Sequence, residues 1–341
     1  MRLPFIAVAM AVALSAESTG AQTAKYHHQT FLPAGHNWAF AREFPAVDGL
    51  FNGFDYGHSI LYETLWTKPS APATALDIKE FDFITKKLLL DPPSVPLDET
   101  AIGPEWTRLV PEVLAMFEWA HMLHRHVYDI MADGRIPAGE RDERVAEVLA
   151  YYKSRPALAL SSHPKDMDLM EGQPYSLAFR KRFPMFNGLV WSYHWLQMTI
   201  YDALMEAADD RQQASNIEAV ASRFREMFRG GQETLPTVMP MSAAIAPTFS
   251  AAYPEVAIIF DNLHSLHDVV SDILANPSVP RGRKRTTLLE AAARYRDSTS
   301  SITTVDEWRS MAMSMGLAGM GGAAPIGDRR TPSGDNPAHK H

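Results

Sequence analysis

Cysteine is absent from the 341-residue sequence. Its absence excludes disulfide bonds, iron–sulfur clusters, c-type haem attachment and thiolate copper sites, because each of these needs a cysteine sulfur. A metal ion bound by this chain must therefore take its ligands from histidine, carboxylate or methionine side chains.

Long hydrophobic runs are scarce, and the clearest one lies at the N-terminus. Residues 3–14 are apolar, follow Arg2, and are too few to span a bilayer. Small residues come next, and cleavage is expected after Ala16 or Ala21. These features predict a signal peptide over 1–21 and a periplasmic or secreted protein. No later segment approaches about 18 uninterrupted apolar residues, so we expect no transmembrane segment after signal removal.

Positive charge is in the minority. The chain has 32 lysines and arginines against 40 aspartates and glutamates, for a formal net charge of −8. Binders of nucleic acid usually carry a basic surface, so the composition argues against a nucleic-acid partner. It leaves open whether the protein acts on a small-molecule substrate or binds another protein.

Alternating patterns typical of β-strands are not found, and the chain instead shows helical patterns separated by proline-rich connections. We therefore predict an all-α helical bundle. The predicted helices cover 52–67, 75–90, 105–133, 138–153, 186–208, 212–229, 254–276, 285–297 and 304–316. The predicted organisation is a signal peptide (1–21), an N-terminal arm (22–50), a first helical repeat (51–154), a linker (155–185), a second helical repeat (186–297), a C-terminal helix (298–315) and a disordered tail (316–341).

The prediction of repeats comes from two segments that align without a gap. At an offset of 143, residues 111–154 and 254–297 share 16 identities in 44 positions, far above chance. The helix before each segment is matched more weakly, at offsets of 139 and 135. We interpret the pattern as two tandem pseudo-symmetric repeats, whose inward faces would carry the functional site.

An acidic residue and two histidines recur at steps of three in both repeats. They are Glu118, His121 and His124 in the first repeat, and Asp261, His264 and His267 in the second. Three such side chains span about 120° of one helix face, which lets a carboxylate and an imidazole approach one ion. Buried without partners they would cost several kcal/mol, so we interpret them as parts of a metal site. The alternatives are a reciprocal network of histidine–carboxylate hydrogen bonds, and haem or another ligand.

Two sets of residues complete the predicted site in different ways. The first set is Glu63 and Asp202, which correspond at the offset of 139. The resulting order is Glu63, Glu118-x-x-His121, Asp202, Asp261-x-x-His264. This order is similar to that of the ferritin-like di-metal carboxylate proteins, with Asp in place of Glu at 202 and 261. The resemblance implies a helical bundle that binds iron or manganese.

The second set is His58 and His194, which would give a histidine-rich site suited to copper, zinc or histidine-ligated iron. Further residues are predicted around either site. Tyr62 and Tyr201 would donate hydrogen bonds to a metal-bound oxygen or serve as core residues. Asp129 and Asp272 would orient ligand imidazoles or lie near the helix ends as ordinary polar residues.

The expected function is that of a metal-dependent oxidoreductase working with oxygen or peroxide. One alternative is a non-catalytic metal or haem carrier, which needs no cavity that reaches the ligands. The other is a partner-binding or assembly subunit with a buried network of histidines and acids.

Overall fold

The structure is a computed structural model that describes residues 30–96 and 98–327. Within these ranges the chain forms helices and no β-strand, apart from an isolated bridge between Lys165 and Ile302. The prediction of an all-α protein is therefore confirmed. No helix in the described ranges is both long enough and apolar enough to cross a membrane. The predicted signal peptide and residues 328–341 of the predicted tail lie outside the described residues.

The α-helices of the described ranges are numbered in chain order. The first seven are α1 (Ala39–Glu43), α2 (Pro45–Thr67), α3 (Ala73–Phe83), α4 (Glu99–Ile102), α5 (Pro104–Leu109), α6 (Pro111–Ala132) and α7 (Ala138–Lys153). The others are α8 (Asp168–Glu171), α9 (Ala178–Arg182), α10 (Pro184–Met205), α11 (Asp210–Glu226), α12 (Ser242–Ile245), α13 (Pro247–Ala252), α14 (Pro254–Ala275), α15 (Arg281–Arg296) and α16 (Val305–Ser314). A π-helical turn (Ile84–Leu88) extends α3, and 3-10 turns lie at Gly231–Thr234 and Leu317–Met320.

Four helices of 22 or 23 residues, α2, α6, α10 and α14, form the core. Helix α2 contacts α10 and α14, and α6 contacts the same two helices. Shorter helices cover them from outside: α7 packs on α6, α11 on α10, and α15 on α14. The inward faces of the four core helices therefore surround a common interior.

Each core helix begins with a proline: Pro45, Pro111, Pro184 and Pro254. Proline suits the first helical position, because an N–H group has no partner within the helix there. It also forces the preceding residue out of the helical region, and the φ angle of that residue lies between −148° and −128° at all four junctions. A short helix precedes each proline, so the chain turns sharply between a short and a long helix.

Two predicted boundaries differ from the structure for identifiable reasons. The helix predicted over 105–133 is divided at Pro111 into α5 and α6. Helix α2 begins at Pro45 instead of 52, so part of the predicted N-terminal arm is helical. Residues 47–55 are all buried. This stretch has no exposed face, and its buried polar residues break up the apolar pattern by which a helix is recognised in a sequence.

Part of the tail that was predicted to be disordered packs against the bundle. Met320 and Ile326 are fully buried, and the indole nitrogen of Trp195 donates a 2.7 Å hydrogen bond to the carbonyl oxygen of Gly322. The φ angle of Gly321 is 100°, which glycine adopts without strain. The glycine-rich composition therefore produces tight turns on the surface of α10.

Candidate metal centre

Seven buried histidines lie on the four core helices. One of them, His126 on α6, accepts a hydrogen bond from the backbone N–H of Leu32, and the other six lie close to one another. His58 lies on α2, His121 and His124 on α6, His194 on α10, and His264 and His267 on α14. None is more than 5% exposed. Each has at least one ring nitrogen without a hydrogen-bond partner among the described residues. A buried polar atom without a partner costs about 1–3 kcal/mol of folding stability. The cluster therefore destabilises the fold unless something else binds these nitrogens.

Three of the six histidines form the tightest group, which we call the three-histidine group: His58, His194 and His267. One ligand atom from each lies within 4.8 Å of the other two. The ring centroids of His58 and His267 are 4.2 Å apart, and those of His194 and His267 are 5.7 Å apart. All six ring nitrogens of the group lack a hydrogen-bond partner within the described ranges. Imidazole nitrogens bind a transition metal ion at about 2 Å, so the three nitrogens would have to move closer together to bind one ion.

The other three histidines each have one nitrogen next to a polar side chain. His124 Nδ1 lies 2.8 Å from the hydroxyl of Tyr201, and His264 Nε2 lies 3.1 Å from Oε1 of Gln197. His121 Nδ1 lies 3.4 Å from a carboxylate oxygen. In each ring the second nitrogen has no hydrogen-bond partner among residues 30–96 and 98–327. Metal-binding histidines commonly have this arrangement, because the partner of one nitrogen orients the ring and fixes its tautomer.

Burial keeps these imidazoles neutral. It lowers the pKa of His264 to about 3, and lowers the pKa values of His124 and of the three-histidine group well below 6.5, with repulsion from neighbouring imidazoles as a second cause. Burial also lowers the pKa of His121, against the opposing effect of the nearby carboxylate. Neutral imidazole is the form that binds metal ions, so the cluster is in its ligand form at neutral pH.

The carboxylates of the first predicted set are engaged at the N-termini of short helices. Glu63 Oε2 accepts hydrogen bonds from the backbone N–H groups of Glu105 and Trp106, at 3.0 and 2.8 Å. Asp202 accepts them from the N–H groups of Thr248 and Phe249. These contacts satisfy N–H groups that have no partner within α5 and α13. The structure does not bring Glu63 and Asp202 together with the histidines.

The acids of the two recurring motifs are also placed apart from the three-histidine group. Asp261 accepts hydrogen bonds from the backbone and hydroxyl of Ser242 and from the indole nitrogen of Trp308. Burial raises its pKa to about 6. Glu118 is partly exposed. Within the described ranges, the potential ligand group of three or more residues with this close spacing contains histidines alone.

The remaining predicted residues have structural contacts of their own. Asp129 accepts hydrogen bonds from the N–H groups that begin α1, and Asp272 from those that begin α9. Both carboxylates therefore orient short helices. The hydroxyl of Tyr62 lies 3.4 Å from the carbonyl oxygen of His267, whereas that of Tyr201 reaches an imidazole nitrogen. Both tyrosines border the histidine cluster.

Two site residues were not predicted, Asp55 and Gln197. Helices α2 and α10 begin at positions 45 and 184, an offset of 139. At this offset Asp55 corresponds to His194, and His58 corresponds to Gln197. The offset of 139 is present in the sequence. Identical residues do not mark these positions, because one repeat has histidine where the other has an acid or an amide.

The chain matches no protein-family model, no curated protein and no solved structure in the comparisons made. The side chains of the site are therefore what indicates its chemistry. They offer several neutral imidazole nitrogens in an interior from which water is largely excluded. Such an arrangement suits a transition metal ion. Because the site is buried, only electrons and very small molecules would reach the ion directly.

Proposed function

We propose that this protein binds a transition metal ion through His58, His194 and His267, and that the ion carries out redox chemistry with oxygen or peroxide. The observation that supports the proposal most directly is that all six ring nitrogens of this group are buried without a partner among the described residues. A shared ion would satisfy one nitrogen of each ring at once.

The donor set favours copper or histidine-ligated iron. Imidazole suits copper, zinc and iron, whereas manganese prefers oxygen ligands. The acids that would have completed a carboxylate-rich iron or manganese site hold helix termini instead. Copper or iron would supply one-electron transfer and Lewis acidity when bound. The residues of the chain hold the imidazoles neutral, fix their orientation and exclude water.

A second candidate function is a metal carrier without catalysis. The low exposure of all six histidines favours it, because a carrier needs no open path for a substrate. The two functions differ in one measurable respect: a redox centre consumes oxygen or peroxide when a reductant is supplied, and a carrier does not.

We further propose that the site lies between two tandem copies of one helical unit. In support, α6 and α14 both have 22 residues, and α7 and α15 both have 16. Corresponding carboxylates also hold corresponding short helices: Glu63 and Asp202 at one pair, Asp129 and Asp272 at the other. Because α2 and α10 both begin and end at an offset close to 139, the second offset of 135 is not required.

Export is a proposal as well, supported by the apolar N-terminal segment that follows Arg2. It predicts that the protein purified from the cell envelope begins near residue 17 or 22. Terminal sequencing of the native protein tests this directly, and an intact N-terminus in that fraction would contradict it.

The metal proposal is tested by metal analysis of the protein purified from its native envelope. We expect about one or two equivalents of copper or iron, lost in the His58→Ala/His194→Ala/His267→Ala variant. The Glu63→Gln/Asp202→Asn variant is the control and should keep its metal. Circular dichroism checks that both variants are folded. A native protein without stoichiometric metal would contradict the proposal.

A further inference from the structure

A buried ionic network adjoins the histidine cluster on one side. The guanidinium of Arg125 donates hydrogen bonds to Asp48 Oδ1 at 3.2 Å, Asn52 Oδ1 at 2.7 Å and Asp55 Oδ2 at 3.1 Å. It also lies over the ring of Phe51, 4.3 Å from the centroid. Arg125 is only 5% exposed. Its position, and with it the position of the Asp55 carboxylate, is thus fixed by several contacts.

The second oxygen of Asp55 points towards the cluster. Asp55 Oδ1 has no hydrogen-bond partner within the described ranges, and it lies 3.4 Å from His121 Nδ1. A proton on Nδ1 would be favoured by this carboxylate and would leave Nε2 with a lone pair. His121 Nε2 is itself buried and has no hydrogen-bond partner in the part of the chain that the structure describes. In many metal sites the ligand histidine binds the ion through one ring nitrogen and donates the N–H of the other to a carboxylate. His121 and Asp55 are arranged in this way.

His121 occupies a central place among the six histidines. A proton on His121 would lower the pKa values of all five others by coulombic repulsion. Its ring centroid lies 5.5 Å from that of His267, a member of the three-histidine group. A ligand at this place can approach the same ion as that group.

Charge balance gives the network a second role. The six imidazoles are neutral ligands, so a bound cation brings one or two uncompensated positive charges into the interior. Burying such a charge is costly unless an opposite charge lies nearby. With both carboxylates ionised, Asp48, Asp55 and Arg125 together carry a formal charge of −1. In that state the network would place a net negative charge directly beside His121.

We propose that Asp55 is a positioning residue, which holds His121 as a fourth ligand of the ion and provides its buried counter-charge. This inference rests on the proposed metal site and adds the residue that completes it. Asp55 acts through His121 and does not itself bind the metal.

The other half of the molecule offers a matched control. At the offset of 143, Arg125 corresponds to Asp268. Asp268 is as buried as Asp55, but it accepts a hydrogen bond from the indole nitrogen of Trp191, at 2.8 Å. Asp268→Asn therefore removes a buried carboxyl group, whose pKa burial raises to about 7, without touching the contact to His121.

The test is titration of the metal-free mature protein with Co(II), followed by its d–d absorption, and with Zn(II) in competition with a chelator. Asp55→Asn should bind both ions about 10- to 100-fold more weakly and should show an altered Co(II) spectrum. Asp268→Asn should resemble the wild type in both respects. His121→Gln, which keeps Asp55, should give the same altered spectrum as Asp55→Asn.

The outcomes separate this inference from the proposed function. Failure of the wild type to bind either ion would reject the metal site as a whole. Binding by the wild type with an unchanged Asp55→Asn or an unchanged His121→Gln would overturn the role of Asp55 and leave the metal site standing. Equal losses in Asp55→Asn and Asp268→Asn would also overturn it, because they would show a general effect of replacing a buried carboxyl group near the histidines. If Asp55→Asn does not fold, the spectrum of His121→Gln decides.

Discussion

At the scale of single residues, the hydroxyl groups of Tyr201 and Tyr62 have different partners. The hydroxyl of Tyr201 lies 2.8 Å from His124 Nδ1 and donates to the His124 carbonyl oxygen at 3.3 Å, whereas that of Tyr62 reaches a backbone carbonyl oxygen at 3.4 Å. Tyr201→Phe leaves a buried imidazole nitrogen without a partner and should cost about 1–3 kcal/mol of stability. Tyr62→Phe should cost less, because its hydrogen bond is long. Urea unfolding of the two metal-free variants measures both values, and equal losses would contradict the assignment.

The stability contributed by His126 should depend on pH. Its Nε2 accepts a hydrogen bond from the N–H of Leu32, and burial lowers its pKa to about 3. Below pH 6.5 the unfolded chain therefore binds a proton that the folded protein does not, so stability falls as pH falls. His126→Gln keeps an acceptor and removes the titration. Relative to this variant, the wild type should lose about 2 kcal/mol between pH 7.5 and pH 5.0.

Chemical denaturation at the two pH values measures this difference. The comparison between variants matters, because buried aspartates such as Asp268, whose pKa burial raises to about 7, change stability in the opposite direction. Those groups are present in both proteins and cancel. A difference that stays constant from pH 7.5 to pH 5.0 would contradict a neutral, buried His126.

Single residues also show how far the sequence predicts the site. It identified the histidines, because His121 and His264 recur in matching positions on apolar helices. It gave His58 and His194 only as the second of two alternatives. Whether these side chains meet depends on how α2 and α10 pack, and the sequence does not specify that packing. Glu63 looked like a ligand by pattern. Its role at the start of α5 depends on a contact between distant parts of the chain, which no local pattern reveals.

At the scale of helices, two short segments depend on carboxylates from the core. Asp129 accepts hydrogen bonds from the N–H groups of Trp38 and Phe40 at the start of α1, and Asp272 acts in the same way on α9. Asp129→Ala should cost about 0.5–2 kcal/mol and should increase amide hydrogen exchange in α1. Asp272→Ala should increase exchange in α9 and leave α1 unchanged.

Exchange followed by mass spectrometry distinguishes the two helices within one sample. Unchanged exchange of α1 in Asp129→Ala would show that the helix is held by other contacts. Loss of protection throughout the bundle in either variant would also contradict the account, because the proposed effect is confined to one short helix.

Proline explains both the successes and the errors of helix prediction. Residues 138–153 and the start of α14 at Pro254 are predicted as the structure has them, because Pro137 precedes the first of these helices and Pro254 begins the second. Pro111 was overlooked because apolar residues continue on both sides of it. The helical turn that precedes each proline is too short to produce a pattern of its own, so its existence depends on contacts made after folding.

At the scale of the whole molecule, the metal should link the four core helices. An ion that binds only the folded state stabilises it by about 2.7 kcal/mol at a concentration 100 times its Kd. We expect unfolding of the wild type to shift to higher temperature or denaturant concentration on metal addition. The His58→Ala/His194→Ala/His267→Ala variant should show no shift. An equal shift in both would place the binding site elsewhere.

The central claim is that histidines alone bind the ion. X-ray absorption at the metal edge of the native protein tests it most directly, because imidazole rings produce a characteristic multiple-scattering pattern. We predict three or four imidazole nitrogens at about 2.0 Å and no sulfur ligand. Ligands that are mainly oxygen atoms, without imidazole scattering, would contradict the claim and would indicate that carboxylates bind the ion.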